Sequence, residues 1–113
     1  MYLFLFNEHF FELKLLLGEI MVTLEEIKLK IQSGLDTDFV QVIDLRGGDH
    51  IQAIIVSKTF ENKSLIEQHK MIYDILDVEM KSNAIHALTL KTYSHIQWKK
   101  MGGSVKIGVD HQI

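Results

Sequence analysis

The chain has no cysteine, no proline, a single arginine (Arg46) and no long uninterrupted apolar run. Each absence excludes something. Without cysteine no disulfide framework exists, which fits a reducing compartment such as the cytoplasm. A soft metal would find only histidine and carboxylate on this chain, so thiolates would have to come from a partner. Without proline, no segment is barred from helix or strand by that residue. The apolar runs fall short of the roughly 18–20 residues that span a membrane. The formal net charge is −3 and the lysines are scattered, so nucleic acid has at most a local patch to bind. A length of 113 residues, with 47% hydrophobic and 24% charged, fits one globular domain with a modest core.

Met1 to Ile20 is rich in leucine and aromatic residues but interrupted by Asn7, Glu8, His9, Glu12 and Lys14. It lacks the basic start and clean apolar centre of a secretory signal, and it is too acidic for a transit peptide. Two readings stand side by side. One is a helix packed on the domain; the other is translated upstream sequence of a bacterial gene that starts at Met21. Gly18-Glu19-Ile20-Met21 back-translates to GGN-GAR-ATH-ATG, which can spell a purine-rich ribosome-binding sequence before a start codon. A natural N-terminus at Met1, read by mass spectrometry, removes the second reading. The expected division is an extension over 1–20, a domain over 21–103 and a mobile tail over 104–113, where periodicity is lost.

Within the domain, Thr23 and Glu26 form a capping box, with Val22 and Ile27 as its hydrophobic staple. Leu24, Ile27, Ile31 and Leu35 make one helical stripe, and Gly34 is placed to stop the helix. Phe39 to Leu45 and His50 to Ser57 read as two strands around the tight turn Arg46-Gly-Gly-Asp49. After Phe60, Asn62 suits a turn with positive φ. Ser64 and Glu67 cap a second helix expected to reach about Lys81, with Leu65, His69, Ile72, Tyr73, Leu76 and Met80 on its apolar stripe. His69 on that stripe reads as a packed core histidine rather than a ligand. Ser82-Asn83 ends this helix, and Ala84 to Tyr93 alternates as a third strand. Ser94 and Gln97 cap a short helix carrying Ile96 and Trp98, ended by Gly102-Gly103. This order predicts an α+β fold, α-β-β-α-β-α, with a three-stranded mixed sheet and helices packed on one face.

The third strand holds the residue on which function turns. His86, Leu88 and Leu90 project to one side of it, and Ile85, Ala87, Thr89 and Lys91 to the other. A histidine sharing a face with two leucines is either a core residue with one hydrogen bond or a ligand. Spacing alone favours the core.

Several stretches together resemble the BolA family: Ile54-Ile-Val-Ser57, Phe60-Glu-Asn-Lys-Ser64, Gln68-His-Lys-Met-Ile-Tyr73, Ile85-His-Ala-Leu88, Lys91-Thr-Tyr93 and Trp98. With the first helix, the likeness covers Met21 to about Gly103. The short loop and the Gln68-His69 pair look nearer to the small acid-response-related bacterial branch than to the founding BolA proteins. The resemblance implies a class II KH-like fold and a monothiol glutaredoxin as partner. It further implies a [2Fe–2S] cluster bridged between the two proteins, with glutathione supplying one thiolate. The family's ligand in the Ile-His-Ala-Leu motif maps onto His86, which reverses the preference for a core role. Relatives place a second ligand in the loop between the first two strands, where His50 is the only candidate nitrogen here. Asp49 reads as a turn residue, since oxygen suits a soft cluster poorly. Asn62 stands where the family has glycine, Gln68 where it often has arginine, and His95 where proline is frequent.

The function expected is a non-enzymatic adaptor in iron–sulfur trafficking or iron regulation, with no cofactor in the isolated chain, which is a monomer or weak homodimer. The alternative is a KH-like DNA-binding regulator of stress response. The chain lacks the Gly-x-x-Gly clamp of a KH site, and Lys58, Lys63 and Lys70 would have to form the basic patch. An enzyme is disfavoured: there is no cysteine nucleophile and no recognisable Ser-His-Asp set.

Overall fold

The computed structural model describes residues 22–103. The expected extension over 1–20, the start at Met21, the tail from Ser104, and His9 and His111 lie outside the described residues. The elements in order are α1 (Leu24–Gly34), β1 (Phe39–Arg46), β2 (His50–Val56), a 3-10 turn (Lys58–Phe60), α2 (Leu65–Ile75), α3 (Asp77–Lys81), β3 (Ala87–Tyr93) and α4 (His95–Lys100). All three capping boxes form. Thr23 with Glu26 opens α1, Ser64 with Glu67 opens α2, and Ser94 with Gln97 opens α4. In each, the hydroxyl accepts a backbone N–H three residues on, while that residue's side chain accepts the cap's own N–H. Two donors that would otherwise lack helical partners are thereby satisfied.

The sheet order is β1-β2-β3. β1 and β2 run antiparallel, from Phe39 opposite Val56 to Asp44 opposite Ile51. β2 and β3 run parallel, from His50 opposite Ala87 to Val56 opposite Tyr93. This is the mixed sheet that a hairpin followed by a helical crossover requires. Ile51, Ala53 and Ile55 of β2 meet Ile27 and Ile31 of α1, Ile72 of α2, and Leu76, all buried in one cluster. Val42, Leu88 and Leu90 pack against it. Each fully buried isoleucine contributes about 1.5–3 kcal/mol relative to exposure, so this cluster dominates the stability.

Strand alternation turns Phe39 and Tyr93 to the opposite face of the sheet from Val40 and Thr92. There Trp98 of α4 stacks on Phe39 with ring centroids 5.1 Å apart, and it lies 6.2 Å from Tyr93. The long helices thus carry one face, while the short terminal helix closes the other at the Val56 end. His95, to which the sequence assigned no role, contributes as well. Its Nδ1 lies 2.7 Å from Asp38 Oδ2, tying the start of α4 to the segment before β1.

Four local departures have physical reasons. The second helix does not run unbroken to Lys81; it breaks at Leu76 (φ −98°, ψ 23°), after which α3 begins. Its buried stripe is rotated, with Gln68 and Ile72 inside and Leu65 and Tyr73 exposed. The rotation is possible because the buried Gln68 amide finds partners. Its Nε2 donates to the carbonyls of Lys63 (3.0 Å) and Phe60 (3.3 Å), and its Oε1 accepts from Thr92 Oγ1 at 2.7 Å. Gly34 is the last residue of α1 rather than a left-handed stop, and the following cap, Leu35, is extended. A Cβ on Gly34 would stand 3.0 Å from Ile75 Cγ1, so the glycine lets α1 and α2 approach. Finally, the third strand starts at Ala87, not Ala84.

Candidate metal-ligand site

That late strand start decides the position of His86. Asn83 takes a left-handed φ of 63°, and Ile85 N–H donates to the Glu79 carbonyl at 3.0 Å. Residues 84–86 form a bend outside the pleat, so the alternation predicted for them does not apply. Ile85 fills the core at 1% exposure, whereas His86 is exposed. The core role that spacing favoured for His86 is therefore incorrect, because the leucines it was grouped with begin only inside the strand.

His86 is held from the hairpin. Its backbone N–H donates to the Asp49 carbonyl at 2.8 Å, and Ala87 N–H reaches the same oxygen at 3.2 Å. Asp49 in turn is set by the turn before it. Gly47 and Gly48 both take positive φ (71° and 83°), a conformation glycine adopts without a Cβ penalty. Gly48 N–H donates to Asp44 Oδ1 at 3.0 Å, and the ladder shifts register between Asp44 and Arg46. His50 then begins β2 beside Ala87.

The result is a pair of imidazoles from residues 36 positions apart in sequence, with ring centroids 5.5 Å apart and planes inclined by 44°. His50 is partly exposed, and its Nε2 lies 3.6 Å from Asp49 Oδ1. That is too long for a hydrogen bond but close enough for a charge–dipole contact. Among the described residues, no group of three or more histidines, cysteines or acidic residues could hold a metal ion. Two imidazoles at this spacing supply at most half a metal site, and any metal held there would need its remaining ligands from another molecule.

The other candidates fall elsewhere. His69 is half-buried on α2 with its Nε2 shielded, in keeping with a packed histidine. Lys58 and Lys63 are exposed around the 3-10 turn and the start of α2. Lys70 is exposed and paired with Asp74 one helical turn on, at 3.1 Å. Gln68 points inward, so it is part of the core rather than a surface contact. The feature that sequence reasoning missed is the Asp49 carbonyl. A backbone acceptor that joins two distant segments leaves no mark in residue type.

A family model described as BolA-like protein matches residues 22–97. The chain belongs to the BolA family. It is 39% identical over 82 residues to Protein BOLA2 of Arabidopsis thaliana, covering 70% of this chain and 86% of the relative. It is 28% identical over 93 residues to the DNA-binding transcriptional regulator BolA of Escherichia coli, covering 75% and 88% of the two chains. Among solved structures, the BolA domain of SufE1 from Arabidopsis thaliana superposes with a TM-score of 0.60 at 32% identity, covering 65% of this chain and 92% of that one. His50 and His86 both fall within the residues that the family model matches.

Proposed function

We propose that this BolA-family protein is a non-enzymatic adaptor in iron–sulfur trafficking or iron regulation, which shares a [2Fe–2S] cluster with a monothiol glutaredoxin. The observation that carries the reading is the pairing of the partly exposed His50 with the exposed His86, which lacks a third donor among the described residues. Two nitrogens on a cysteine-free chain make sense where the sulfur arrives on the partner and on glutathione. Imidazole ligation in place of thiolate would raise the cluster's potential, as in Rieske-type centres. The chain's own contribution is positional. The hairpin presents His50, and the Asp49 carbonyl fixes His86 next to it. The cytoplasm suits this chemistry, and the isolated chain, a monomer or weak homodimer, would carry no cluster of its own.

The test is reconstitution with a monothiol glutaredoxin, glutathione, iron and sulfide, followed by visible circular dichroism. A heterodimer spectrum distinct from that of glutaredoxin alone is expected, lost in His86→Ala and lost or strongly altered in His50→Ala. A spectrum identical to that of glutaredoxin alone refutes the reading.

One observation favours a second reading: a relative of 28% identity is named a DNA-binding transcriptional regulator. Lys58, Lys63 and Lys70 would then contact phosphates, although Lys70 already pairs with Asp74. Two or three phosphate contacts predict a slope of about −2 to −3 in log affinity against log salt. Binding that survives replacement of all three lysines by glutamine excludes this patch.

A further inference from the structure

We infer that residues 1–21 of this chain cover the open face of the sheet, lying along β2 on the side away from α1 and α2. Gln52 and Ile54 of β2 project to that face, opposite the core residues Ile51, Ala53 and Ile55, yet they are only 2% and 0% exposed. Among the described residues, Trp98 reaches this face at the Val56 end, beside Phe39 and Tyr93. Gln52 lies four residues, about 13 Å, further along the strand. Its neighbours in register are Ile43 and Thr89, and those of Ile54 are Gln41 and Lys91. Such flanking side chains stand beside a central one rather than above it. Thr89 is itself exposed and too short to cover Gln52. Burial thus follows the middle strand while the edge strands stay partly open on this face, which is the footprint of one chain segment. Gln52 Oε1 is also buried without a hydrogen-bond partner, an acceptor that such a cover can satisfy.

The segment that enters at this face is residues 1–21. Residues 35–38 join α1 to β1, on which α1 packs, so the two run antiparallel and α1 starts beside the hairpin. Val22 packs on the core, and Leu45, on the open face at the hairpin end, is 49% exposed. Before Val22, the residues Leu3, Phe6, Phe10, Leu13, Leu17 and Ile20 recur at alternating intervals of three and four. That spacing makes one helical stripe, with Glu8, Glu12 and Glu19 on the opposite side. Twenty residues so arranged span about 30 Å, enough for the roughly 23 Å of β2. Asn7 and Lys14 border the stripe, and both are donors for Gln52 Oε1. Of the two readings of residues 1–20, this is the packed segment, with its seat on the domain assigned. A sheet covered on both faces meets other molecules at its edges and at its hairpin end, where His50 and His86 lie.

The cysteine-free full chain allows a cross-linking test. Thr89→Cys is combined in turn with Phe6→Cys, Phe10→Cys, Leu13→Cys or Leu17→Cys, and with Glu8→Cys or Glu12→Cys as controls off the stripe. After mild oxidation, mass spectrometry of intact chains and peptides locates each disulfide. At least one stripe position should close an intrachain disulfide rapidly and the controls slowly, because the bond demands Cα atoms within about 7 Å. Equal rates at stripe and control positions, or no disulfide at all, overturn the inference. So do disulfides formed only between chains, which would give the face to a second copy, and so does a natural N-terminus at Met21. An independent readout uses methyl-labelled isoleucine with a soluble paramagnetic agent. The Ile54 methyl should be protected in the wild type. Phe10→Asp with Leu13→Asp should expose it while Ile51, on the helix face, stays protected. An Ile54 methyl equally protected in both proteins refutes the cover.

Discussion

Replacing Gln68 by methionine tests whether the buried amide, rather than the apolar stripe, seats the crossover helix. Gln68 is 6% exposed and joins three elements: the turn through Phe60 and Lys63, helix α2 through its own backbone, and β3 through Thr92. Methionine keeps the length and removes every polar contact. The Phe60 carbonyl retains the Lys63 N–H, so its loss counts for little. The buried Thr92 hydroxyl loses its bond to the amide, at about 1–3 kcal/mol, and the part-buried Lys63 carbonyl loses its own, at about 1 kcal/mol. The thioether recovers about 1 kcal/mol through apolar burial, which leaves a net loss of about 1–3 kcal/mol. Urea unfolding followed by circular dichroism measures it. With a slope of about 1 kcal/mol/M for a domain of this size, the midpoint should fall by about 1–3 M. Thr92→Val alone should cost about 1–2 kcal/mol, because it orphans Gln68 Oε1. The double variant should then cost less than the sum, with a coupling of about 1 kcal/mol. A Gln68→Met loss below about 1 kcal/mol, or strict additivity with Thr92→Val, refutes the reasoning.

Glu67 offers a pH test. Hydrogen bonds from the Ser64 backbone and side chain, with the nearby Lys63 charge, lower its pKa below the ordinary 4.5. A carboxylate favoured in the folded state adds stability that is fully present above about pH 4.5 and disappears as pH falls through the lowered value. Glu67→Gln should therefore flatten the acid limb of a stability–pH curve below that point; an unchanged limb would show that the capping box is not coupled to titration. Gly34→Ala gains up to about 1 kcal/mol of helix propensity but crowds Ile75, for which overpacking costs about 1–3 kcal/mol. A net loss of about 1 kcal/mol is expected by urea unfolding, and combined with Ile75→Ala, which removes all three crowding carbons, the double variant should cost less than the sum of the two single ones; a stabilised single variant would show that Ile75 can give way. Gly48→Ala, at φ 83° with open space around it, should cost about 1 kcal/mol from backbone strain alone.

The fold was legible in the sequence because its signals are local. Three capping boxes, a two-glycine turn and Asn62 at a left-handed position each act within four residues, and each appears in place. The stripe of α2 was misread for the opposite reason. Hydrophobicity placed Leu65 and Tyr73 inside, but the helix face is set by Gln68, whose partners lie on β3 and in the preceding turn. A polar residue that is fully satisfied only by distant groups reads as a surface residue until the tertiary structure supplies them.

The site divides along the same line. His86 was singled out by its neighbours but assigned to the wrong face, because a strand's period was extended across a bend that Asn83 and the Glu79 carbonyl create. His50 was indicated by the family resemblance, which implies a second ligand in the hairpin loop where it is the one candidate nitrogen, and residue type could say nothing of its distance from His86. What makes the two a pair is the parallel register that sets His50 beside Ala87, reinforced by one backbone oxygen accepting from the two consecutive amides of His86 and Ala87. Register of this parallel pair is set by the buried faces of the two strands together with the crossover through α2 and α3 that joins them. A substitution that shifts that crossover should therefore separate the histidines without touching them. Gln68→Met provides the case: if it moves α2 on the sheet, the His50–His86 contact and any shared-cluster spectrum should weaken with the stability.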